Sequence, residues 1–418
     1  MKAKMNKAMA NITIPKKPDT IEKLAIMNED ARFEVGCDSD AERTAVNCAM
    51  DIRGKPGPPK IPKLYVSGTC VFNCAYCGCR CSRDREHTYA HTPSEVAKIA
   101  LDAARQNGHG IFISSAIYKN ADYTQELIAE SVRIMRSIYQ YKGFLHAKVM
   151  PGADPLLIAK TGRYADRLSV NIEVAQSSGY AQIAKQKSKK LILTPMGNIA
   201  AQILEAKYEK KRFATSQTTQ LMAGSTDEDD RTIINLSTAL YKKYRMKRVY
   251  YTAFRYQHEA IGYEELEKKQ TPYWRMARLY QADRLTQLYG FTPDDVTPES
   301  EPFLQEDIDP KAAWALRHLD MYPVEVNKAD YETLIRVPGI GITCAKRIIE
   351  ARRHCIVTHD VLKQMRVPLK RCIYFITCNG QYKGGNLLLS QYIRSVLVTG
   401  GRTISIEESL AADETPCG

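Results

Sequence analysis

Residues 64–81 read LYVSGTCVFNCAYCGCRC. A short β-favouring run, Leu64–Ser67, gives way to a loop holding five of the chain's twelve cysteines, and the next cysteine is Cys344. Cys70, Cys74 and Cys77 stand in C-x3-C-x2-C spacing. Several thiolates in one short loop can converge on one metal centre, because soft sulfur suits both zinc and iron–sulfur clusters. A structural zinc would take a fourth ligand, Cys79 or Cys81. Spacing alone leaves both centres open.

The strand before the loop is the first of a series. Leu64–Ser67, Gly110–Ser114, Phe144–Met150, Arg167–Ile172, Ala214–Leu221 and Val249–Phe254 are β-branched or aromatic runs, with helical patterns between them. The first helix is signposted by Thr92 as N-cap, Pro93 at N1 and Glu95 at N3, a capping box. Val96, Ile99, Ala100 and Ala103 form its apolar stripe, and Gly108 ends it. Ile128, Val132, Met135 and Tyr139 form the stripe of the next. Repeated strand–helix units imply a parallel sheet with helices outside, barrel-like or doubly wound. In such sheets chemistry sits at the C-terminal strand ends, where the cysteine loop begins.

The chain's 418 residues suggest two to three domains at roughly 150 residues each. Its 44% apolar and 26% charged content is ordinary for a globular protein and excludes a disordered or fibrous chain. No apolar run reaches membrane-spanning length, and the N-terminus lacks a signal-peptide h-region. The expectation is a cytoplasmic protein without membrane contact, where clustered cysteines serve metal binding or catalysis rather than disulfides. Net charge is +13, which suits a polyanionic partner. The charge is uneven. Residues 285–310 carry seven acidic residues and no Lys or Arg, whereas residues 323–394 hold twelve Lys/Arg against five Asp/Glu.

The cysteine spacing, its place after the first strand of a six-unit βα chain, and the aromatic Tyr76 together resemble the radical S-adenosylmethionine (radical SAM) enzymes. The resemblance covers about residues 61–260. It implies a partial (βα)6 barrel and a [4Fe-4S] cluster on Cys70, Cys74 and Cys77, whose open iron chelates S-adenosyl-L-methionine. One electron, from a donor such as flavodoxin or ferredoxin, then cleaves the sulfonium to a 5′-deoxyadenosyl radical. Tyr76 is placed at the adenine. Ser114 and Ser115 stand where the family often has a Gly-Gly-Glu stretch gripping the methionine amine. Asn171 and Glu173 are candidates for the ribose and methionine moiety, and Gln220, Met222 and Gly224 for the adenine side. Cys79 and Cys81 fall outside the motif. Arg80, Arg83 and Arg85 are candidates for a phosphate near the site.

Residues 326–353, VNKADYETLIRVPGIGITCAKRIIEARR, resemble a helix–hairpin–helix. Asn327 is expected to cap its first helix, with Asp330 at N3. Val337-Pro-Gly-Ile-Gly341 is the turn, and the second helix starts near Thr343, burying Ala345, Ile348 and Ile349. Amides at Gly339, Ile340, Gly341 and Thr343 then form a phosphate site, with Lys346, Arg347, Arg352 and Arg353 adding charge. In its family this hairpin holds the DNA backbone without reading sequence. Asp330 and Arg336-Val-Pro recur as Asp360 and Arg366-Val-Pro, a second hairpin without the glycines. Residues 242–257 read as a helix ending in basic residues and then the buried sixth strand.

The expected division is a 1–60 extension, a 61–260 radical SAM core, a 261–322 helical segment with an acidic proline-rich connection, a 323–380 all-α hairpin domain and a 381–418 tail. The combination, with YQADRL (280–285) and YFITCNG (374–380), is similar to radical SAM proteins described as DNA modification or repair enzymes. It implies radical chemistry on DNA. The alternatives are an RNA-modifying radical SAM enzyme and a non-enzymatic zinc-containing DNA-binding protein.

Overall fold

The computed structural model describes residues 49–51, 60–82, 89–107, 110–256, 262–266, 269, 271–385 and 390–399. Arg83, Arg85, Gly108, most of the 1–60 extension and the chain beyond residue 399 lie outside them. Strand β1 (Ala49–Asp51) pairs antiparallel with β2 (Lys60–Tyr65). From β2 the sheet continues through β3 (Ile111–Ser114), β4 (Leu145–Lys148), β5 (Arg167–Ser169), β6 (Ser216–Ala223) and β7 (Met246–Ala253), all parallel and in chain order. Helices make every crossover: α1 (Pro93–Asn107), α2 (Ala121–Arg133), α3 (Pro155–Tyr164), α4 (Gly179–Ile183), α5 (Lys189–Glu209) and α6 (Asp230–Tyr244). This is the expected (βα)6-type arrangement, an α/β architecture. All six strands form where β-branched and aromatic runs stand, with ends shifted by a few residues.

The parallel sheet is apolar on its outer face because helices cover it. Leu64, Ile113, Ala147 and Leu168 lie buried there. The α1 capping box forms: the Thr92 amide donates to the Glu95 carboxylate (2.7 Å) and the Glu95 amide to the Thr92 hydroxyl (3.3 Å). In α2, Ile128, Val132 and Met135 are buried, but Tyr139 is 47% exposed. The helix widens into a π turn at Ile134–Ile138, which breaks the 3.6-residue register and turns Tyr139 outward.

Both sheet edges are covered, so the barrel need not close. Strand β1 covers β2. On the β7 edge, the Tyr280 hydroxyl accepts from the Tyr251 amide (3.0 Å) and donates to its carbonyl (3.1 Å), and the Tyr241 hydroxyl accepts from the Val249 amide (3.0 Å). Tyr280 lies on α7 (Tyr273–Leu288), whose Asp283 accepts from the hydroxyls of Tyr241 and Tyr251.

The acidic connection is packed rather than loose. It contains α8 (Pro293–Val296) with a Thr292/Asp295 capping box, and the Leu304 amide donates to buried Asp230 (2.9 Å). After α9 (Pro310–Arg317) come the two hairpins: α10 (Tyr331–Arg336) with α11 (Ile342–Ala351), and α12 (His359–Gln364) with α13 (Leu369–Cys372). Short strands β8 (Val324–Glu325), β9 (Ile376–Cys378) and β10 (Gln381–Tyr382) tie the module's ends together. Helix α14 (Ser390–Thr399) buries Ile393 and Val396, so this part of the expected tail is packed.

Candidate functional site

The cysteine loop is pinned on three sides. The Val71 amide donates to the Ile117 carbonyl just past β3, the Ala75 amide to the Ile183 carbonyl at the end of α4, and the Cys81 amide to the Phe72 carbonyl, each at 2.9 Å. Arg80 is buried and donates to the Cys77 carbonyl (3.2 Å), so it braces the loop instead of waiting for a phosphate. Amides of Phe72 and Cys79 point at the sulfurs of Cys70 and Cys77, each at 3.4 Å. Burial raises the Cys70 thiol to about 11 and the Cys74 thiol to about 12. Cys77 moves the other way, to about 7, because the Cys79 side chain and amide bond to it.

Among the described residues, no three His, Cys, Asp or Glu side chains are gathered to hold a single metal ion. Amide bonds to sulfur and a nearby cation are features that tune iron–sulfur clusters, so three thiolates of one loop, two of them receiving such bonds, fit a [4Fe-4S] cluster.

The cation is Lys187, which sequence reasoning missed. Its ammonium bonds the Glu173 carboxylate (2.9 Å) and the Tyr76 hydroxyl (2.9 Å), and it acts electrostatically on all three cysteines. The Glu173–Lys187 pair is buried, with side chains 4% and 11% exposed. Burial would raise the Glu173 carboxyl, yet Lys187 and Lys148 outweigh it and hold the group below its usual range. Glu173 also has a left-handed backbone, φ 64°, uncommon for a non-glycine residue. It is held there by backbone bonds to β6: its amide donates to the Gln220 carbonyl (2.9 Å) and its carbonyl accepts from the Met222 amide (2.8 Å).

Tyr76, Glu173, Gln220 and Met222 thus converge beside the cysteines. Ser114 is buried with an unpartnered hydroxyl, and the second carboxylate oxygen of Glu173 is likewise unpartnered. Asn171 is buried two residues before Glu173. Ser115 differs: its hydroxyl accepts from the Ser67 amide (3.2 Å) and donates to the Ala116 carbonyl (2.6 Å), so it is spent on the loop. Gly224 takes φ 75°, and a Cβ there would lie 2.0 Å from the Thr271 hydroxyl, so the turn itself requires glycine.

In the module, Asp330 rather than Asn327 is the N-cap of α10, accepting from the Thr333 amide (2.7 Å). Asn327 lies too far upstream. Its side chain instead accepts from the Val357 amide (2.8 Å) and donates to the Val357 carbonyl (3.0 Å), clipping the two hairpins together. Gly339 sits at φ 85°, and a Cβ there would lie 2.9 Å from the Arg371 Cβ, so the two hairpin turns pack face to face. Buried Lys311 donates to the Ile340 carbonyl (2.5 Å). Helix α11 starts on Gly341, which has no side chain to cap it. Its leading amides, at Ile342, Thr343 and Cys344, have no intrahelical acceptor. Thr343, Lys346 and Arg347 are exposed around that end. Ala345 and Ile348 are buried as expected.

No described helix is long and apolar enough to cross a membrane. No curated protein matches the chain. Among solved structures, it is similar to the FeFe-hydrogenase maturase HydG from Carboxydothermus hydrogenoformans, at 15% identity and TM-score 0.41, covering 54% of this chain and 51% of that one. Methylornithine synthase (PylB) gives 14% identity and TM-score 0.41, over 53% and 60%. The cobalamin-dependent S-adenosylmethionine radical enzyme OxsB gives 12% and 0.32, over 84% and 57%. The chain thus spans between half and three fifths of each of these structures. Residues 322–359 match the helix-hairpin-helix motif, which agrees with the α10–α11 geometry.

Proposed function

We propose that the chain is a radical SAM iron–sulfur enzyme that binds DNA through its hairpin module and modifies or repairs it. The observation that carries this reading is the three-cysteine loop at the C-terminal strand ends, docked against the buried Tyr76–Lys187–Glu173 network. Cys70, Cys74 and Cys77 would hold the [4Fe-4S] cluster. When bound, that cluster and S-adenosyl-L-methionine supply one-electron cleavage of the sulfonium and a 5′-deoxyadenosyl radical. The protein's part is to bind, orient and exclude water. Glu173 and the Ser114 hydroxyl offer acceptors for an ammonium, Lys187 offers a donor, and Tyr76 a ring face. Asn171, Gln220, Met222 and Gly224 line the same strand ends.

The hairpin match and the exposed Lys346 and Arg347 support a phosphate-backbone contact at the start of α11. Gly339, Ile340, Gly341 and Thr343 shape that contact. A flavodoxin or ferredoxin would serve as electron donor.

Anaerobic purification tests the cluster. The expected product is brown, with iron and sulfide near four per chain, and Cys74→Ala loses both the colour and reductive cleavage of S-adenosylmethionine. A colourless protein with one zinc would end the enzyme reading. Competition of duplex DNA against structured RNA over a salt series tests the polymer, and preference for RNA would overturn the DNA assignment. Mass spectrometry of DNA incubated with reduced enzyme and S-adenosylmethionine then identifies the modification.

A further inference from the structure

The chain enters each strand from β4 to β7 through exposed Lys or Arg. Lys142 precedes β4, Arg163 precedes β5, Lys210, Lys211 and Arg212 precede β6, and Lys242, Lys243 and Arg245 precede β7, which itself carries exposed Lys247. These strands are parallel, so the four entries lie at one end of the barrel, opposite the cysteine loop. The acids nearby are matched. Asp166 pairs with Arg136 (2.5 Å) and Arg212 (2.9 Å), and Glu209 pairs with Lys211 (2.8 Å), on which Glu205 also acts. Residues 241–247 hold no acid, and among the described residues no ion pair engages Lys242, Lys243, Arg245 or Lys247. Two tyrosines stand in this charge. Tyr208, in the last turn of α5, is 91% exposed, and the π turn at Ile134–Ile138 leaves Tyr139 exposed shortly before Lys142. Cations that meet phosphates, with rings that can stack on bases, are the composition of a nucleic-acid surface.

The hairpin module meets the barrel at this same end. Helices α6 and α7 run side by side in one direction: Arg275 pairs with Asp230 at their starts (2.7 Å), and the Tyr241 hydroxyl donates to Asp283 towards their ends (3.2 Å). Both therefore finish at the basic end. Just past α7, the Tyr289 hydroxyl lies against Gly341, where a Cβ would stand 3.3 Å from it, and Arg336 donates to the Gly290 carbonyl (3.1 Å). The start of α11, with its uncapped amides, is thus set beside the end of α6 that carries Lys242, Lys243 and Arg245. An acidic electron donor fits this place poorly. It has to approach the cluster, whereas the eight residues of β6 alone put about 25 Å between this end and the strand ends beside the cysteine loop. The adjoining α11 turn likewise favours nucleic acid over an anionic lipid surface.

We propose that the N-terminal end of the barrel is a second binding surface for the backbone of the nucleic acid that the hairpin module holds, continuous with the α11 turn. This rests on the DNA-binding reading of the module and not on the radical chemistry. The surface anchors flanking DNA, away from the nucleotide that reacts.

Fluorescence anisotropy of the full chain with a labelled DNA duplex of about 30 base pairs, over a salt series, tests this. Lys242→Gln/Lys243→Gln/Lys247→Gln should weaken binding tenfold or more and make the slope of log K against log salt shallower by about 2–3, since each lost phosphate contact takes about 0.9 from it. Lys98→Gln, which removes an exposed charge from α1, should change neither. All three lysines are exposed, so the triple variant should melt with wild type. Lys207→Gln/Tyr208→Ala, on α5, carries the test independently and should weaken binding in the same direction. Affinity and slope in both variants equal to those of Lys98→Gln would overturn the surface. So would unchanged DNA binding together with lost binding to phosphatidylserine vesicles, which would assign a lipid partner. Lys346→Ala/Arg347→Ala separates the two readings. Loss there with the triple variant intact keeps the hairpin assignment and defeats the second surface, whereas loss in the triple variant alone does the reverse.

Discussion

Replacing Lys187 with Met removes the cation that joins the cysteine loop to the strand ends. At 2.9 Å and an effective dielectric near 20, its attraction to Glu173 is roughly 6 kcal/mol before desolvation. Removing one partner of a buried pair typically costs about 3–5 kcal/mol, because the other charge stays behind uncompensated. Glu173 is well suited to show this, since its second oxygen is already without a partner. Wild-type Glu173 titrates below its usual range because Lys187 and Lys148 outweigh burial. Without Lys187, burial pushes the carboxyl upward. The variant is then penalised most above that raised value, and its deficit shrinks as falling pH protonates Glu173. A Glu173→Gln/Lys187→Met double variant should recover most of the loss. A chain of several domains need not unfold in two states, so the readout should be local. Hydrogen exchange at the amides of Glu173 and Met222, which join β5 to β6, reports opening of this corner. Equal protection in the single and double variants, or a deficit independent of pH, would refute an electrostatic bridge.

Cys79→Ala should raise the Cys77 thiol from about 7, so alkylation of the metal-free protein at pH 7 slows; an unchanged pH–rate profile would show that Cys79 does not set it. Glu325 accepts from the amides of Asn327, Asn379 and Gly380, which overcome burial and lower it to about 2. Its contribution is present above about pH 4.5 and lost as pH falls towards 2. Glu325→Gln should therefore lower the module's melting temperature at pH 7 and by much less at pH 2.5, as a thermal series would show. Gly339→Ala meets both a φ of 85° and the Arg371 Cβ, so it should destabilise the module by about 1–3 kcal/mol and weaken DNA binding in parallel in a gel-shift titration. Lys346→Ala and Arg347→Ala should weaken binding to all sequences alike, each reducing the slope of log K against log salt by about 1 in a fluorescence-anisotropy series.

Much of the fold was legible because its signals are local. The α1 capping box needs only Thr92 and Glu95, and the six strands follow from short β-branched runs. The cysteine spacing marked the site because three ligands fall within one loop. Lys187 was not legible. It stands in the polar run AKQKSKK with Lys185, Lys189 and Lys190, and nothing local distinguishes it from a solvated neighbour. Its burial is created by Tyr76 and Glu173, which packing brings in from elsewhere in the chain. Lys148 was hidden differently. A lysine alternating with apolar residues reads as the solvent side of a strand, but in this barrel the polar side is the interior. Asn327 misled because both it and Asp330 are good caps, and only the pairing with Val357 decides between them.

The acidic connection changes what the module's positive charge means. Taken as sequence, residues 323–394 offer a broad cationic surface beside a loose acidic linker. In the structure the two are matched. Arg336 reaches Asp295 at 3.8 Å and lies over the rings of Phe291 and Trp314, Arg371 pairs with Asp309, and Arg394 pairs with Asp307 at 2.7 Å. Each planar guanidinium is therefore committed to holding the connection. Lys346, Arg347, Lys363, Arg366 and Lys370 remain exposed, and the α11 turn and its uncapped amides lie among them. Lys311, from the same connection, fixes the turn from behind through the Ile340 carbonyl. Burial lowers that ammonium to about 7, so the contact can persist as a neutral hydrogen bond. The connection thus neutralises one side of the module and braces the turn that the other side presents. Charge available to a phosphate backbone is then set by the residues left unpaired around α11, not by the module's total.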